Sequence, residues 1–332
     1  MQGRFNNVSI KGIFSVVPKH LIRNEVDYKH AFTEKQISKQ VKATGIHTRH
    51  VVDKSTSMKD LAISSVKYLL ECLNWDKDSI DAIILVTQTP EYVLPSTSFY
   101  LHKELGIGKQ CACFDINLGC SGYVAGLGIA GGYLQGITKG KKRAILVDAD
   151  TLSKYIDKLD LSTCLLFGDA ATSTAIEIEE NNELLYSLNS DGTGYQAIHK
   201  YSNSYLKMDG TKVFEFTIGQ VVDSILGFMK DNNLQDKDVD YYVFHQAQKF
   251  VVSNMAEILN INDNKVLFSL DKYGNTAGAS IPITICNNRL LLQEKKEVRL
   301  LFAGFGVGLS WGCTYVTMNT ECIHDIVTMP DS

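Results

Sequence analysis

The sequence predicts an α/β fold assembled from two copies of one unit, and three observations carry that prediction. Apolar strand-like runs alternate with segments of helical periodicity along all 332 residues, the pattern of layered sheet and helix. The strands of the first half recur in the same order in the second half, the mark of an internal duplication. The composition is 45% apolar, with five prolines and no low-complexity stretch, which supports a large core and leaves little room for a loose linker.

In chain order, SMKDLAISSVKYLLECL (57–73) places apolar residues at i, i+3, i+4 and i+7 and predicts a helix. The runs AIILVTQT (82–89), ACFDIN (112–117), RAILVDAD (143–150) and ATSTAIEI (171–178) predict strands. A small-residue helix is expected to begin near Cys120, after ACFDIN and a glycine turn. The polar run EIEENNELLYSLNSDGTGYQ (177–196) is the expected junction between a first half, 1–178, and a second, 179–332. Beyond it, TIGQVVDSILGFMKDN (217–232) and KFVVSNMAEILNI (249–261) predict helices. The runs YYVFHQ (241–246), KVLFSL (265–270), VRLLFAGF (298–305) and CTYVTM (313–318) predict strands.

The repeat is legible in four matches. DAIILVTQ from Asp81 resembles DYYVFHQ from Asp240, and FDINLGC from Phe114 lines up with FSLDKYGN from Phe268. RAILVDAD from Arg143 matches RLLFAGFG from Arg299, and FGDAATSTAIEI matches SWGCTYVTMN. Cys120 of the first copy thereby corresponds to Asn275 of the second. Equivalent strand-to-helix junctions would converge on a pseudo-two-fold axis.

A formal charge of −4 gives no global attraction for phosphate backbones, so nucleic acid is not an expected partner. No run of ~18 or more apolar residues is present, and the N-terminus lacks an apolar signal core, so a cytoplasmic, non-membrane protein is expected. The eight cysteines make no CxxC pair and no structural-zinc spacing, so neither metal nor cofactor is expected. Most should be small buried hydrophobes.

Three residues stand apart. Cys120 falls where a strand ends and a helix begins, where unpaired N–H groups favour thiolate, the nucleophilic form. Its bland use is to fill space at a tight turn. His245 ends the strand YYVF, at the edge where α/β proteins bind ligands, although a lone histidine is commonly structural. Asn275 lies on a glycine turn before another small-residue helix, where it would serve simply as a cap. The glycine-rich GFGVGLSWG (304–312) lacks both the GxGxxG pattern and the phosphate-loop lysine. A backbone N–H donor beside a reacting carbonyl suits it better. The functional case rests on Cys120, His245 and Asn275 in combination.

These residues carry a resemblance to the β-ketoacyl-(acyl carrier protein) synthase III group of the thiolase superfamily. The motifs are DINLGCSG (115–122), HQAQ (245–248), GNTAGASIP (274–282) and GFGVGLSWG (304–312), with LFGDAA (166–171), TGIHTRH (44–50) and LPST (94–97) as lesser landmarks. The resemblance spans essentially the whole chain. It implies a thiolase-like fold, duplicated halves in five layers (α-β-α-β-α), and a homodimer acting in fatty acid biosynthesis or a related pathway.

By the same resemblance, Cys120 takes an acyl group from a thioester donor, with the backbone N–H groups of Cys120 and Gly306 holding the oxyanion. His245 and Asn275 bind the thioester carbonyl of malonyl-acyl carrier protein and stabilise the enolate left when carbon dioxide departs. That enolate attacks the acyl-cysteine and yields 3-oxoacyl-acyl carrier protein. Leu94 occupies the place of the residue that gates the acyl pocket across the dimer, and Lys249 lies near the usual carrier-protein contact.

The chain departs from the family pattern in four places. Gln248 replaces a shorter amide, Lys39 and Ala43 stand where an aromatic and an arginine grip coenzyme A, Phe250 replaces a basic residue, and Leu94 replaces an aromatic plug. These departures point to a specialised synthase, for a secondary metabolite or surface-glycan acyl group, with a carrier-protein donor preferred to coenzyme A. The alternatives are a same-fold acyltransferase passing the Cys120 acyl group to an alcohol or amine, and a non-catalytic partner subunit.

Overall fold

The computed structural model describes residues 1–329. Its main sheet is built from nine strands: β1 (Gln2–Val17), β2 (Ala82–Val86), β3 (Ala112–Ile116), β4 (Arg143–Asp150), β5 (Ala170–Ser190), β6 (Tyr241–Phe244), β7 (Glu297–Gly306), β8 (Ser310–Asn319) and β9 (Ile323–Thr328). Their order is β6-β7-β8-β5-β4-β2-β3, with β1 alongside β5 and β9 alongside β1. The polar run at 177–196 does not break into a loop at its start. It continues β5 as far as Ser190, because this strand serves both halves: Ala170–Glu177 pairs with β4, and Leu184–Ser190 pairs with β8.

The duplication is visible in the pairing. β2 runs parallel to β3 and β4, and β4 meets β5 antiparallel. In the second half β6 runs parallel to β7, and β7 meets β8 antiparallel. Asp81 Oδ2 accepts from the Arg143 backbone N–H at 3.1 Å, and Asp240 Oδ2 accepts from that of Arg299 at 2.8 Å. In return the backbone N–H groups of Asp81 and Asp240 each donate to the matching arginine's carbonyl at 2.8 Å. KVLFSL departs from the expected strand. A single parallel bridge, Tyr242 to Val266, stands in the place that β3 holds in the first copy. Buried Gln246 shortens it: its side chain bonds the carbonyls of Phe244 and Leu267 and the N–H of Ser269, folding the chain over the end of β6.

Helices α1 (Glu34–Thr44), α2 (Met58–Leu73), α3 (Thr97–Leu105), α4 (Gly122–Gly136), α5 (Gly210–Phe216), α6 (Val222–Asp231), α7 (Lys249–Ile258) and α8 (Ser280–Asn287) surround and divide the sheet. Both faces of β2 are buried, so it reads as a continuous apolar run rather than an alternating one. Ile83 and Leu85 pack with Leu61, Val66 and Leu101 of α2 and α3. Ile84 and Val86 point the other way, into a core with Leu127 of α4, Ile281 and Ile285 of α8, and Phe302 of β7. On the far side, Tyr242 and Phe244 pack with Ile225, Phe228, Val252 and Met255 of α6 and α7. The β2–β4 side of the sheet and its β6–β8 side therefore form two layers, stacked with the helices as helix, sheet, helix, sheet, helix. The middle layer is tight: a Cβ on Gly122 would lie 2.3 Å from Val86 Cγ1. That is why α4 opens on glycine. No helix among the described residues is long and apolar enough to cross a membrane.

Candidate active site

Cys120 and His245 come from two strand-to-helix junctions and Asn275, against expectation, from the turn between the short helix Leu270–Tyr273 and the 3-10 turn Ala277–Ala279; all three line one cavity of about 390 Å³. Cys120 follows β3 by four residues and precedes the cap of α4, Ser121. A hydrogen bond of 2.7 Å from Gly122 N–H to the Gly119 carbonyl turns the chain there, and Ser121 Oγ lies 2.6 Å from Ser310 Oγ, tying this turn to the glycine-rich segment. Gly306 (φ +157°) allows the close approach, since a Cβ there would sit 3.0 Å from Cys120 Sγ.

The backbone N–H groups that favour a charged sulfur are those of Cys120 itself and of Val307. The expectation for Gly306 concerns a different acceptor, the acyl oxygen rather than the sulfur. Gly306 supplies space, and the chain turns to aim the next N–H. The thiol differs from the expectation of a ready thiolate. Burial pushes its pKa up to about 12, the negative charge of Asp150 adds to the rise, and the two N–H groups offset only part of it.

His245 follows the last residue of β6 and is 2% exposed. Its backbone N–H donates to the Ala303 carbonyl at 2.8 Å, continuing the β6–β7 ladder, and its ring meets Phe305 edge-on with centroids 5.4 Å apart. Nδ1 lies 2.7 Å from Ser280 Oγ at the start of α8. Burial pushes the imidazolium down to about 3, so the ring is neutral at physiological pH.

Asn275 is held from three sides. Its N–H donates to the Leu166 carbonyl and its carbonyl accepts from Gly168 N–H, both at 3.0 Å. Oδ1 accepts from Ala277 N–H at 3.0 Å, which leaves Nδ2 as the free end of the amide. The segment that clamps it is itself clamped, for buried Arg49 donates from Nη1 to the Phe167 carbonyl at 2.6 Å. Two of the lesser sequence landmarks, around Arg49 and Phe167, thus act together to place Asn275.

The cavity mouth is apolar. Phe250, 55% exposed, stacks on Phe214 with centroids 5.5 Å apart, and Gln248, Met208 and Leu206 complete the rim. Lys249 is exposed at the start of α7 and packs beside Gly45, outside the cavity lining. Lys39 and Ala43 are exposed on α1 and do not line it either. Leu94 is 84% exposed on the loop before α3 and lies outside the cavity of its own chain. Reasoning from sequence missed Ser280, Val307 and the buried carboxyls Asp148 and Asp150. Of these only the acidic pair left a signal, two charges inside an apolar strand.

Residues 114–192 match the family model for 3-oxoacyl-[acyl-carrier-protein] synthase III, and residues 229–318 match that for its C-terminal part. The putative 3-oxoacyl-[acyl-carrier-protein] synthase 3 of Campylobacter jejuni is 31% identical over 341 residues, covering 94% of each chain. The chain belongs to the 3-oxoacyl-[acyl-carrier-protein] synthase III family. The β-ketoacyl-[acyl-carrier-protein] synthase III of Clostridium acetobutylicum is 33% identical over 326 residues, covering 92% of this chain and 97% of the relative. The crystal structure of a 3-oxoacyl-(acyl-carrier protein) synthase from Burkholderia xenovorans LB400 superposes with a TM-score of 0.94 at 33% identity, covering 99% of both chains. The thiolase-like fold and the acyltransferase class of this synthase III family member follow from these likenesses.

Proposed function

We propose that the chain condenses an acyl group carried on Cys120 with malonyl-acyl carrier protein and releases 3-oxoacyl-acyl carrier protein. The observation that carries this reading is one cavity bringing together a cysteine, a neutral buried histidine and an amide with a free Nδ2. In the first half-reaction Cys120 sulfur attacks the donor thioester carbon, and the backbone N–H groups of Cys120 and Gly306 receive the developing oxyanion. The donor thiolate leaves and takes up a proton, and the acyl group stays on sulfur.

In the second, the malonyl thioester carbonyl accepts from His245 and Asn275 Nδ2. On this reading the Ser280 hydroxyl, 2.7 Å from Nδ1, donates to it, and the other ring nitrogen carries the hydrogen that points to substrate. Carbon dioxide departs, and the electron pair of the broken C–C bond becomes the enolate held by these two donors. The enolate carbon bonds to the acyl carbon, and the C–S bond to Cys120 breaks. No base is needed, because decarboxylation makes the carbanion.

We also propose that 1–178 and 179–332 form the two halves, a division supported by the change of neighbours along β5. The working unit on this reading is a cytoplasmic homodimer in which Leu94 caps the partner's cavity. The apolar rim of Phe214 and Phe250 supports a specialised acyl group and a carrier-protein donor in preference to coenzyme A.

Intact-mass spectrometry tests the central reading. Incubation with acyl thioesters should add one acyl group at Cys120, and malonyl-acyl carrier protein should then remove it with release of carbon dioxide. Transfer of that group to an amine or alcohol without carbon dioxide release would replace condensation with simple acyl transfer.

A further inference from the structure

Two carboxyl groups lie buried behind the Cys120 turn, and the condensation chemistry leaves both unused. Asp150, the last residue of β4, is 2% exposed. Its Oδ1 accepts from Gln88 N–H at 2.8 Å, Thr89 Oγ1 at 3.1 Å and Thr87 Oγ1 at 3.2 Å. Its Oδ2 is buried without a hydrogen-bond partner. The Gln88 that it anchors lines the cavity and presses on the nucleophile turn, since a Cβ on Gly119 would be 2.3 Å from Gln88 Oε1. Asp148, two residues earlier on the same face of β4, has both oxygens unpartnered. A Cβ on Gly278 would lie 3.0 Å from Asp148 Oδ1 and 3.3 Å from the Gly119 carbonyl, so this carboxyl adjoins the same turn.

Nothing cationic balances these groups. Neither carboxylate forms an ion pair among the described residues. The titratable groups that face Asp150 are Asp148 on its own strand, Cys120 at the head of α4, and Tyr155 in the turn after β4. The β2 loop presents only Thr87, Gln88 and Thr89, and β5 presents Ala170 as the register neighbour. Every titratable neighbour is negative when charged. A second buried anion beside a first is strongly disfavoured in so dry a site.

We propose that Asp150 is a positioning residue acting through Cys120, the two side chains carrying one negative charge between them. The thiolate forms while Asp150 holds a proton, and a charged Asp150 keeps the proton on sulfur. Thiol with carboxylate and thiolate with carboxylic acid contain the same number of protons, so exchange between them is balanced and independent of pH. The inference rests on Cys120 being the nucleophile. Its electrostatics agree with the geometry: Asp150 raises the Cys120 thiol, and burial brings Asp150 itself up to about 7.

The test is the rate of iodoacetamide alkylation at Cys120 between pH 6 and 9, read on the Cys120 peptide by mass spectrometry. In the native protein the rate should climb tenfold per pH unit at first, flatten near neutrality as Asp150 ionises, then climb again. In Asp150→Asn the flat step should vanish. The two proteins should agree at pH 6 and differ by about tenfold at pH 9 for each unit that the charge adds to the thiol pKa. If Asp150→Asn does not fold, Thr87→Val serves: losing a donor to the carboxylate raises its pKa and should move the flat step to higher pH. A rate ratio constant across the pH range, or a flat step unmoved in Thr87→Val, overturns the inference and leaves Cys120 as nucleophile. Inertness of Cys120 throughout, with no acyl adduct on it from thioesters, would instead remove the nucleophile assignment and the inference with it.

Discussion

His245 Nδ1 and Ser280 Oγ lie 2.7 Å apart inside the middle layer, where neither group meets water. The pair joins the end of β6 to the start of α8, so the orientation of the ring is set by packing within the second half. A hydroxyl in this place holds one ring direction. Ser280→Ala should therefore slow malonyl decarboxylation by roughly tenfold, the cost of leaving one buried nitrogen unpartnered. Acyl loading on Cys120 should continue at the native rate. The two half-reactions can be followed separately by carbon dioxide release and by intact mass, and a loss of both alike would contradict this division.

Asn275 has a narrower duty. Its Oδ1 is committed to Ala277 N–H and its backbone to Leu166 and Gly168, so the side chain arrives pre-set rather than adapting to substrate. Asn275→Ala should lower carbon dioxide release by ~10²–10³, the usual loss for one preorganised donor. Acyl-Cys120 should accumulate when both substrates are supplied. Native turnover in this variant would show that the amide has no part in the second half-reaction.

The neutral state of His245 has a stability consequence. Its folded pKa is depressed to about 3, against an unfolded value near 6.5, so the unfolded chain binds this proton first as pH falls. The residue leaves folding unaffected above pH ~6.5 and opposes it increasingly below, by about 1.4 kcal/mol for each pH unit until the folded pKa is reached. Relative to His245→Gln, the native protein should lose thermal stability on going from pH 7 to pH 5. Parallel melting curves over that range would mean that His245 is charged or solvated in the folded protein.

Much of this was legible in the sequence because duplication turns weak local signals into paired ones. Asp81 and Asp240 are unremarked singly, yet together they mark equivalent strand starts and make the same backbone bonds to Arg143 and Arg299. Cys120 and Asn275 were found in the same way. What stayed hidden depends on register and distance. That Val307 presents its N–H to sulfur is decided by the turn of a glycine-rich segment, which composition does not reveal. Ser280 reads as an ordinary helix-opening serine until β6 is laid beside α8. β1 (Gln2–Val17) escaped because its first half is polar and its partners, β5 and β9, lie more than a hundred residues away.

The two copies of the aspartate contact are not energetically equal. Asp240, with its side chain 12% exposed, accepts from Arg299 N–H, Nε and Nη2 and from Lys295 Nζ, which together hold its carboxyl well below the usual range. In the first copy the Arg143 guanidinium turns instead to Glu177 at 2.6 Å. Asp240→Asn should cost about 1.5–3 kcal/mol at pH 7, and Asp81→Asn less. The folded pKa of Asp240 is depressed, so its contribution is present above the unfolded value near 4 and fades as pH falls below it. Urea denaturation at pH 7 and pH 3 measures both effects, and an Asp240→Asn penalty undiminished at pH 3 would assign the loss to packing instead.

Leu94 connects pocket size to assembly. With Val93 at 97% exposure and Leu94 at 84%, the loop before α3 presents apolar side chains that its own chain does not cover. Burying one leucine contributes roughly 1.5–3 kcal/mol, which a second copy supplies if Leu94 enters its cavity. The expected solution species is thus a homodimer, and light scattering should report twice the chain mass. Leucine is smaller and more flexible than an aromatic ring, so the capped cavity should accept primers longer or more branched than acetyl, each buried methylene adding ~0.8 kcal/mol. Leu94→Phe should fill that space and shift the chain-length profile of Cys120 loading toward short acyl groups. Decarboxylation should be untouched, because on this reading the cap meets the acyl side of Cys120, and His245 and Asn275 hold the malonyl carbonyl on the other side. An unchanged chain-length profile, or a monomer in solution, would put Leu94 outside the acyl channel.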